Sequence, residues 1–363
     1  MLIAPVQASN DALPAWGVDC DDALVCRAVT QETADVRSFH FATERPSRFR
    51  FEAGQFLTLE LPVDGGTVFR CYTVSSPPTR PETVSITSKR VPGGPGSNWL
   101  HDTVRPGMHL RASGPSGVFV LPPARAAKLL FLSGGSGVTP LMSMARTLFD
   151  RADDRDVTFV HSARSPGDII FREELALMAR RLPRLRVAHV VEGTGNEPGW
   201  PGLVGRLDLR ALGLLVPDLL ERDVYCCGPA PYMAGVRALL DQAGFDRSRY
   251  NEESFSFDEL PGPVAEVVVE AETAAEATFS VTFAKSGKAV ACPPGTTVLM
   301  AARQAGLRLP SSCTRGVCGT CKSRMLSGRV DMRHGGGIRQ REVDQGMILI
   351  CCSRPLEDLV IDR

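Results

Sequence analysis

The chain of 363 residues has no net charge: 41 Lys and Arg are matched by 41 Asp and Glu. No global field therefore favours nucleic acid or an anionic membrane as partner, and neither is expected. A long hydrophobic run is also missing. The longest uncharged stretch, LLFLSGGSGVTPLMSMA, is broken by Gly, Ser and Pro and is shorter than the ~20 apolar residues of a spanning helix. The start, MLIAPVQASNDALPAWGVDC, lacks the basic end and compact apolar core of a secretion signal. Eleven cysteines, an odd number with adjacent pairs at Cys226/Cys227 and Cys351/Cys352, do not form the pattern of a secreted disulfide framework. The expected compartment is the reducing cytoplasm. No internal repeat is found. What is present, 43% apolar and 23% charged residues, suits a globular protein of about two to three domains.

After an amino-terminal extension (1–21), residues 22–125 read as strands. ALVCRAV, VRSFHFA, GQFLTLEL, VFRCYTV and TVSITSKR are rich in β-branched and aromatic residues and separated by Gly, Pro and Asp clusters. One helical piece, SNWLHDTV, has Ser97 as its expected N-cap. A small antiparallel barrel fits this pattern. Over 126–257 the rhythm changes to apolar strands alternating with amphipathic helices: KLLFLSG then TPLMSMARTLFD, DVTFVHSA then DIIFREELALMARRL, LRVAHVVEG, and DVYCCGP then APYMAGVRALLDQAG. Such alternation predicts an α/β domain with a parallel sheet covered on both faces. Residues 258–277, rich in Pro, Ala and Glu, read as a linker whose VAEVVVE could pair as a strand. A third unit, 278–363, opens with FSVTFAKSG, KAVACP and the helix TTVLMAARQAG, capped by Thr296 or Thr297 and ended by Gly306.

The third unit carries the most specific signal. Cys313-x4-Cys318-x2-Cys321 is followed after 29 residues by Cys351, the plant-type [2Fe–2S] spacing. Two irons need four thiolates. Three come from one tight loop, and the fourth comes from a distant strand. Gly316 and Gly319 supply the backbone freedom and close N–H groups such a loop needs. A structural zinc site usually has two short knuckles, and only one tight pair exists here. A redox dithiol would follow a strand in a thioredoxin-like unit, which this segment does not resemble. By spacing Cys351, rather than Cys352, is the fourth ligand. No C-x-H…C-x-x-H pairing occurs, so the centre is not one with His ligands; it is expected to carry electrons.

A cluster that takes one electron at a time needs a supplier. LSGGSGVTP (132–140) follows a buried strand and opens a helix, an arrangement that turns backbone N–H groups and a helix dipole toward a pyrophosphate. It is not G-x-G-x-x-G, and Gly-rich turns also occur without a ligand. YCCGPAPYM (225–233) ends another buried strand, where Cys227, Gly228 and Pro229 would border a nucleotide; equally, both cysteines suit a core. RCYTVSS (70–76) places an Arg, an aromatic ring and hydroxyls along one strand, and PGGPGSNWL (92–100) is a second glycine loop at a helix start.

Together these motifs resemble, nearly end to end and in order, the ferredoxin–NADP reductase superfamily joined to a C-terminal plant-type ferredoxin domain. That resemblance implies a flavin-binding barrel, an NAD(P)H-binding domain and a β-grasp [2Fe–2S] domain. It assigns Arg70, Tyr72, Thr73 and Ser76 to the flavin, with Thr73 near flavin N5, and Gly94, Gly96 and Ser97 to a flavin phosphate. It assigns Gly134, Gly135, Gly137, Thr139 and Pro140 to the pyridine nucleotide, places Cys227 with Gly228 and Pro229 beside the nicotinamide, and sets Glu253 and Phe255 near the reacting rings. SGPSGVF (113–119) resembles the FAD rather than the FMN branch, so FAD is expected. Arg164 and Ser165 would suit the 2′-phosphate of NADPH, yet the segment resembles that of NADH users, and NADH is the expectation. The implied activity is electron transfer from NADH through FAD and [2Fe–2S] to a protein acceptor. The tail 332–356 resembles reductases of Rieske-type monooxygenases that demethylate betaine-like quaternary amines. A hybrid-cluster protein as acceptor, or a diaphorase or nitric-oxide-type flavoenzyme, is the alternative.

Overall fold

The computed structural model describes residues 13–16, 23–63, 66–122, 128–255, 278–307, 309, 316, 319, 321–335, 337–338 and 340–363. The linker expected at 258–277 lies outside them. The chain divides into two compact units, the first holding the barrel and the parallel sheet, the second the C-terminal sheet.

The barrel is built from Ala15–Trp16 (β1), Leu24–Thr33 (β2), Val36–Thr43 (β3), Arg48–Phe49 (β4), Phe56–Val63 (β5), Gly66–Thr73 (β6), Val84–Lys89 (β7), helix Pro95–Thr103 (α1) and His109–Ser116 (β8). Six strands run in the order β6-β5-β8-β2-β3-β7, while β1 and β4 pair separately. A bridge between Val74, just past β6, and Ile86 of β7 joins the two edges and closes the sheet. Inward residues such as Phe39, Phe41, Leu57, Leu59 and Ile86 fill the interior. Strand β8, whose sequence HLRASGPS has little β-branching, is the member that composition did not reveal. Helix α1 begins at Pro95 with Gly94 as N-cap, not at Ser97. Proline's fixed φ suits the first helical position, which moves the cap three residues earlier, from Ser97 to Gly94.

The parallel sheet uses Lys128–Gly134 (β9), Val138–Asp150 (α2), Asp156–Ala163 (β10), Arg172–Arg181 (α3), Leu185–Val191 (β11), Leu203–Val204 (β12), Leu209–Leu215 (α4), Asp223–Cys227 (β13), Ala230–Gln242 (α5) and Tyr250–Glu253 (β14). Its order is β12-β11-β10-β9-β13-β14, with every pairing parallel. The order reverses between β9 and β13, which makes their carboxyl ends the crevice of the sheet. One core cluster lies on the α2 and α3 face and another on the α4 and α5 face. The helix expected from Asp168 starts only at Arg172, because Ile169, Ile170 and Phe171 are buried in the preceding loop. The short α4 and β12 have too little periodic sequence to stand out.

At the amino ends of these strands Arg222 is fully buried. Its guanidinium donates to Leu129 O at 3.0 Å, Asp156 Oδ1 at 2.8 Å and Asp218 Oδ1 at 2.7 Å, so one cation ties β9, β10 and the approach to β13. Its charge is compensated by two carboxylates, as a buried cation requires. Helix α2 joins barrel and sheet. Ser143 Oγ donates to Ser76 O (2.7 Å), Arg146 Nη1 to Ser75 O (2.7 Å), and Arg80 Nη2 to Asp150 Oδ1 (2.7 Å). Positions 143, 146 and 150 share one helical face.

The second unit contains Phe279–Phe283 (β15), Lys288–Cys292 (β16), Val298–Gln304 (α6), Lys322–Ser327 (β17), Val330–Met332 (β18), Gln340–Asp344 (α7), Met347–Leu349 (β19), Ser353–Pro355 (β20) and Leu359–Ile361 (β21). Five strands run β16-β15-β21-β17-β19, with β15 and β21 parallel at the centre and α6 packed across them, a β-grasp. Thr297 caps α6 by accepting from the Met300 N–H, and Gly306 ends it at φ +76°. Among the described residues, no helix is long and apolar enough to cross a membrane.

Candidate functional site

In the first unit the site grows from the crevice between β9 and β13. Apolar β9 runs buried to Gly134, turns over Gly135–Gly137, and enters α2 with no side chain capping it. The first N–H groups of α2 thus keep the anion-binding character of an open helix end. Three glycines in this region have a steric reason. A Cβ on Gly137 would lie 2.3 Å from Cys227 O and 2.5 Å from Gly228 N. On Gly228 it would lie 2.7 Å from the Tyr232 ring and 3.1 Å from Gly134 N, and on Gly134 it would meet the same ring at 3.0 Å. The two motifs, 90 residues apart in sequence, therefore form one surface by backbone-to-backbone contact. Thr139 Oγ1 donates to Ser136 O (3.1 Å) and Pro140 is buried in the first turn of α2.

Cys227 is fully buried and registers between Ser133 of β9 and Glu253 of β14. Burial first, and the Glu253 carboxylate second, push its thiol well above the usual range, so it stays protonated. Both cysteines do occupy cores, on opposite faces of β13: Cys227 with α2, Cys226 with α5. Pro229 is the N-cap of α5. Glu253 ends β14, and Phe255, 37% exposed, follows it.

The strand 70–76 lies at the barrel's closing seam. Thr73 is 5% exposed, and its Oγ1 is buried with no hydrogen-bond partner among the described residues. A buried hydroxyl of this kind costs about 1–3 kcal/mol unless something accepts or donates to it, and a flavin heteroatom fits that need. Tyr72 packs half-buried against the barrel core. Arg70 Nη1 donates to Phe69 O (2.8 Å). Ser76 Oγ accepts from the Ser85 N–H (2.9 Å) and so holds the seam. At the second loop Gly94 caps α1, Gly96 is buried within it, and Ser97 Oγ accepts from the Val91 N–H (3.1 Å) and donates to Gly94 O (3.3 Å). Ser97 therefore shapes this loop from inside.

Arg164 follows β10, and neither it nor Ser165 stands unopposed. Arg164 Nη2 donates to Asp168 Oδ1 (2.6 Å) and Asp35 Oδ2 (3.1 Å), and Ser165 Oγ donates to Asp168 Oδ2 (2.7 Å). Neither aspartate is legible as a partner from the sequence, although Asp168 stands within the same motif. Nor is Tyr232, nor Ser133, whose hydroxyl meets buried His161 Nδ1 at 2.7 Å. Burial pushes His161 down to about 3, and His189, whose ring lies 6.2 Å away, down to about 4.

In the second unit Cys321 and Cys351 are both buried. They flank the antiparallel pair of β17 with β19, where Lys322 registers with Leu349, so both belong to one end of it. Cys313 and Cys318 lie outside the described residues. Gly316 and Gly319 adopt φ of +70° and +73°. Gly316 O accepts from the N–H groups of Gly335 and Gly337 (3.0 and 2.9 Å), and a Cβ on Gly316 would meet Cys352 Sγ at 2.6 Å. A Cβ on Gly319 would meet Gly337 O at 2.8 Å. Such a cradle, glycine at its crests and two buried thiols at its base, fits a thiolate-bound cluster.

Comparison with known proteins agrees in all three parts. An oxidoreductase FAD-binding domain model matches residues 24–121, an oxidoreductase NAD-binding domain model 131–238, and a 2Fe-2S iron-sulfur cluster binding domain model 281–356. The chain is 48% identical to the glycine betaine monooxygenase reductase subunit of Pseudomonas aeruginosa (strain UCBPP-PA14), covering 93% of this chain and 94% of that one. It is 41% identical to the stachydrine N-demethylase reductase subunit of Rhizobium meliloti (strain 1021), covering 94% and 96%. Among solved structures, phthalate dioxygenase reductase superposes with a TM-score of 0.58 at 28% identity, over 95% of this chain and 98% of that one.

Proposed function

The chain belongs to the family of monooxygenase reductases that combine FAD-binding, NAD-binding and [2Fe–2S] domains, and on that premise we propose that its acceptor is a Rieske-type monooxygenase acting on glycine betaine or a similar quaternary amine. It is an NADH-dependent oxidoreductase that passes electrons through FAD and [2Fe–2S] to an oxygenase component. When bound, FAD would supply a two-electron hydride acceptor and the [2Fe–2S] cluster a one-electron carrier. No residue has to act as a general base. The chain's own work is to bind, orient and exclude water.

In this reading Gly134, Gly135, Gly137, Thr139 and Pro140 present the open end of α2 to the coenzyme's pyrophosphate, and Arg164 stands at its ribose. Cys227, Gly228 and Pro229 form the wall beside the nicotinamide, with Glu253 and Phe255 completing it. Arg70, Tyr72, Thr73 and Ser76 hold the flavin, and Gly94, Gly96 and Ser97 its phosphates. Cys313, Cys318, Cys321 and Cys351 ligate the irons. Residues 22–125, 126–257 and 278–363 are the three working domains, and 258–277 joins them. We place the chain in the cytoplasm, which suits an odd number of cysteines with two adjacent pairs rather than a secreted disulfide framework.

The observation that carries the choice of acceptor is the 48% identity, over 93% of the chain, with a glycine betaine monooxygenase reductase subunit. A coupled assay tests it. Iron-loaded protein is mixed with NADH, oxygen, glycine betaine and a Rieske-type oxygenase, and formaldehyde is followed, with cytochrome c reduction as control. NADH-dependent formaldehyde supports the pairing. Cytochrome c reduction without formaldehyde rejects this oxygenase substrate and moves the search to other acceptors.

A further inference from the structure

One cation of the second unit is set apart by what holds it. Strand β21 lies between β15 and β17, and Arg363, half-buried, follows it. Its main-chain oxygen serves the β15 side, accepting from the N–H groups of Lys285 and Ser286 (2.7 and 3.3 Å). Its side chain reaches the β17 side, where Nη2 donates to Lys322 O at 2.6 Å and Nε to Ser323 Oγ at 3.1 Å. Both partners are neutral, and no carboxylate side chain among the described residues lies within ion-pair distance of this guanidinium. Its neighbours are paired differently. Buried Lys322 has Glu342 at 2.6 Å, and Asp362 is taken by Lys285 at 3.3 Å. A cation withdrawn from water without a counter-charge is costly, so this guanidinium needs one.

Lys322 O belongs to the residue after Cys321, the buried thiol that immediately precedes β17. Burial disfavours the charge of Arg363, and an ionised Cys321, ahead of Asp362, is what favours it. Four thiolates make a [2Fe–2S] centre an anion, and one electron from the flavin makes it more negative with no proton taken up. A cation fixed nearby in poorly hydrated surroundings favours that electron. We propose that Arg363 is a positioning residue for electron entry: its guanidinium, fixed by Lys322 O and Ser323 Oγ beside Cys321, raises the cluster's reduction potential and so draws electrons from the flavin. The inference rests on the reading of Cys321 as an iron ligand.

The test uses the full chain loaded with flavin and iron. Arg363→Gln and Arg363→Met remove the charge, Arg363→Lys keeps it without the planar fork, and Arg329→Gln removes an exposed cation paired with Glu357. The cluster's midpoint potential is read by dithionite titration followed by electron paramagnetic resonance, with thermal melting alongside. Each neutral variant should lower the equilibrium constant for one-electron reduction about tenfold, a fall of about 59 mV. Arg363→Lys should recover most of that fall. Arg329→Gln should stay within about threefold of wild type, roughly 28 mV, because solvent screens its charge. Either neutral variant that assembles a cluster decides the matter. Neutral variants within about threefold of wild type overturn the inference. So does a lysine variant as low as the glutamine one, or an equal fall in Arg329→Gln. If neither neutral variant assembles a cluster, rescue of assembly by lysine upholds the role of the charge, and failure of all three overturns it. An iron-loaded wild type without a [2Fe–2S] signal would instead overturn Cys321 as a ligand, and this inference with it.

Discussion

The substitution Gly137→Ala isolates one contact of the nucleotide crevice. Gly137 has φ −65° and ψ −3°, a conformation any residue adopts, so alanine brings no backbone strain. It brings a Cβ 2.3 Å from Cys227 O, 2.4 Å from Cys227 C and 2.5 Å from Gly228 N. Ordinary carbon contacts lie at about 3.5 Å or more, so roughly 1 Å of separation must be found. All three clashing atoms are backbone. Strand β13 is fixed by pairing to β9 on one side and β14 on the other, so the turn itself has to move outward. Overpacking of this kind costs about 1–3 kcal/mol. The functional loss should exceed the loss of stability, because the same turn aims the N–H groups of α2. A displacement of about 1 Å in a positioning element lowers rate by about a hundredfold. The assay is NADH-to-ferricyanide turnover, with flavin content and thermal melting measured alongside. Gly235→Ala is the control. It lies inside α5, away from the crevice, and no atom lies within 4 Å of its Cβ, so it should leave turnover and melting close to wild type. If Gly137→Ala keeps kcat/KM within about threefold of wild type, the two motifs are not the coupled surface described.

Three further outcomes are expected. Cys318→Ser should retain NADH-to-ferricyanide activity and lose reduction of a one-electron protein acceptor; survival of both activities would mean that this thiol holds no iron. Arg146→Met removes charge-assisted hydrogen bonds to Glu174 and Ser75 O at a side chain 12% exposed, so denaturant unfolding should show a loss of about 2–3 kcal/mol. Burial holds the folded pKa of His161 near 3, below the ordinary imidazole value of about 6.5, so the unfolded chain binds the extra proton as pH falls below about 6.5 and stability declines. Between pH 7.5 and 5.0 this one histidine should cost about 2 kcal/mol, and His161→Phe should flatten the decline over that window. Equal slopes in both proteins would show that His161 is not its source.

The parts of the fold legible in the sequence were those written locally. KLLFLSG announces a buried strand because every residue of it meets a core, and β9 is buried from Leu129 to Gly134. The thiol loop is legible because its spacing is local chemistry, and the positive φ of Gly316 and Gly319 is what a tight loop demands. Thr297 and Gly306 bound their helix as cap and stop residues do. Contacts between distant segments left no trace. Ser143 meets Ser76 across 67 positions and Arg164 meets Asp35 across 129, and no periodicity encodes either. Ser97 was misplaced as a cap because proline at the first helical position outweighed a hydroxyl two residues on. Asp168 is not legible for a different reason: an arginine just past a strand has the chemistry of a phosphate ligand, and the fold is what pairs it with a carboxylate.

Arg222 has a consequence for the history of the molecule. It knots three strands together at the end of the sheet opposite the crevice, using carbonyl and carboxylate oxygens of the β9 and β10 starts and the Asp218 carboxylate ahead of β13. The alignment of β9, β10 and β13 is thereby settled without help from the loops at their other ends. Those loops are free to lengthen, shorten or trade residues while the strands stay in step. A scaffold pinned at its foot can be re-edged at its crown many times over, and new coenzyme or partner preferences can be tried there without the sheet being laid anew.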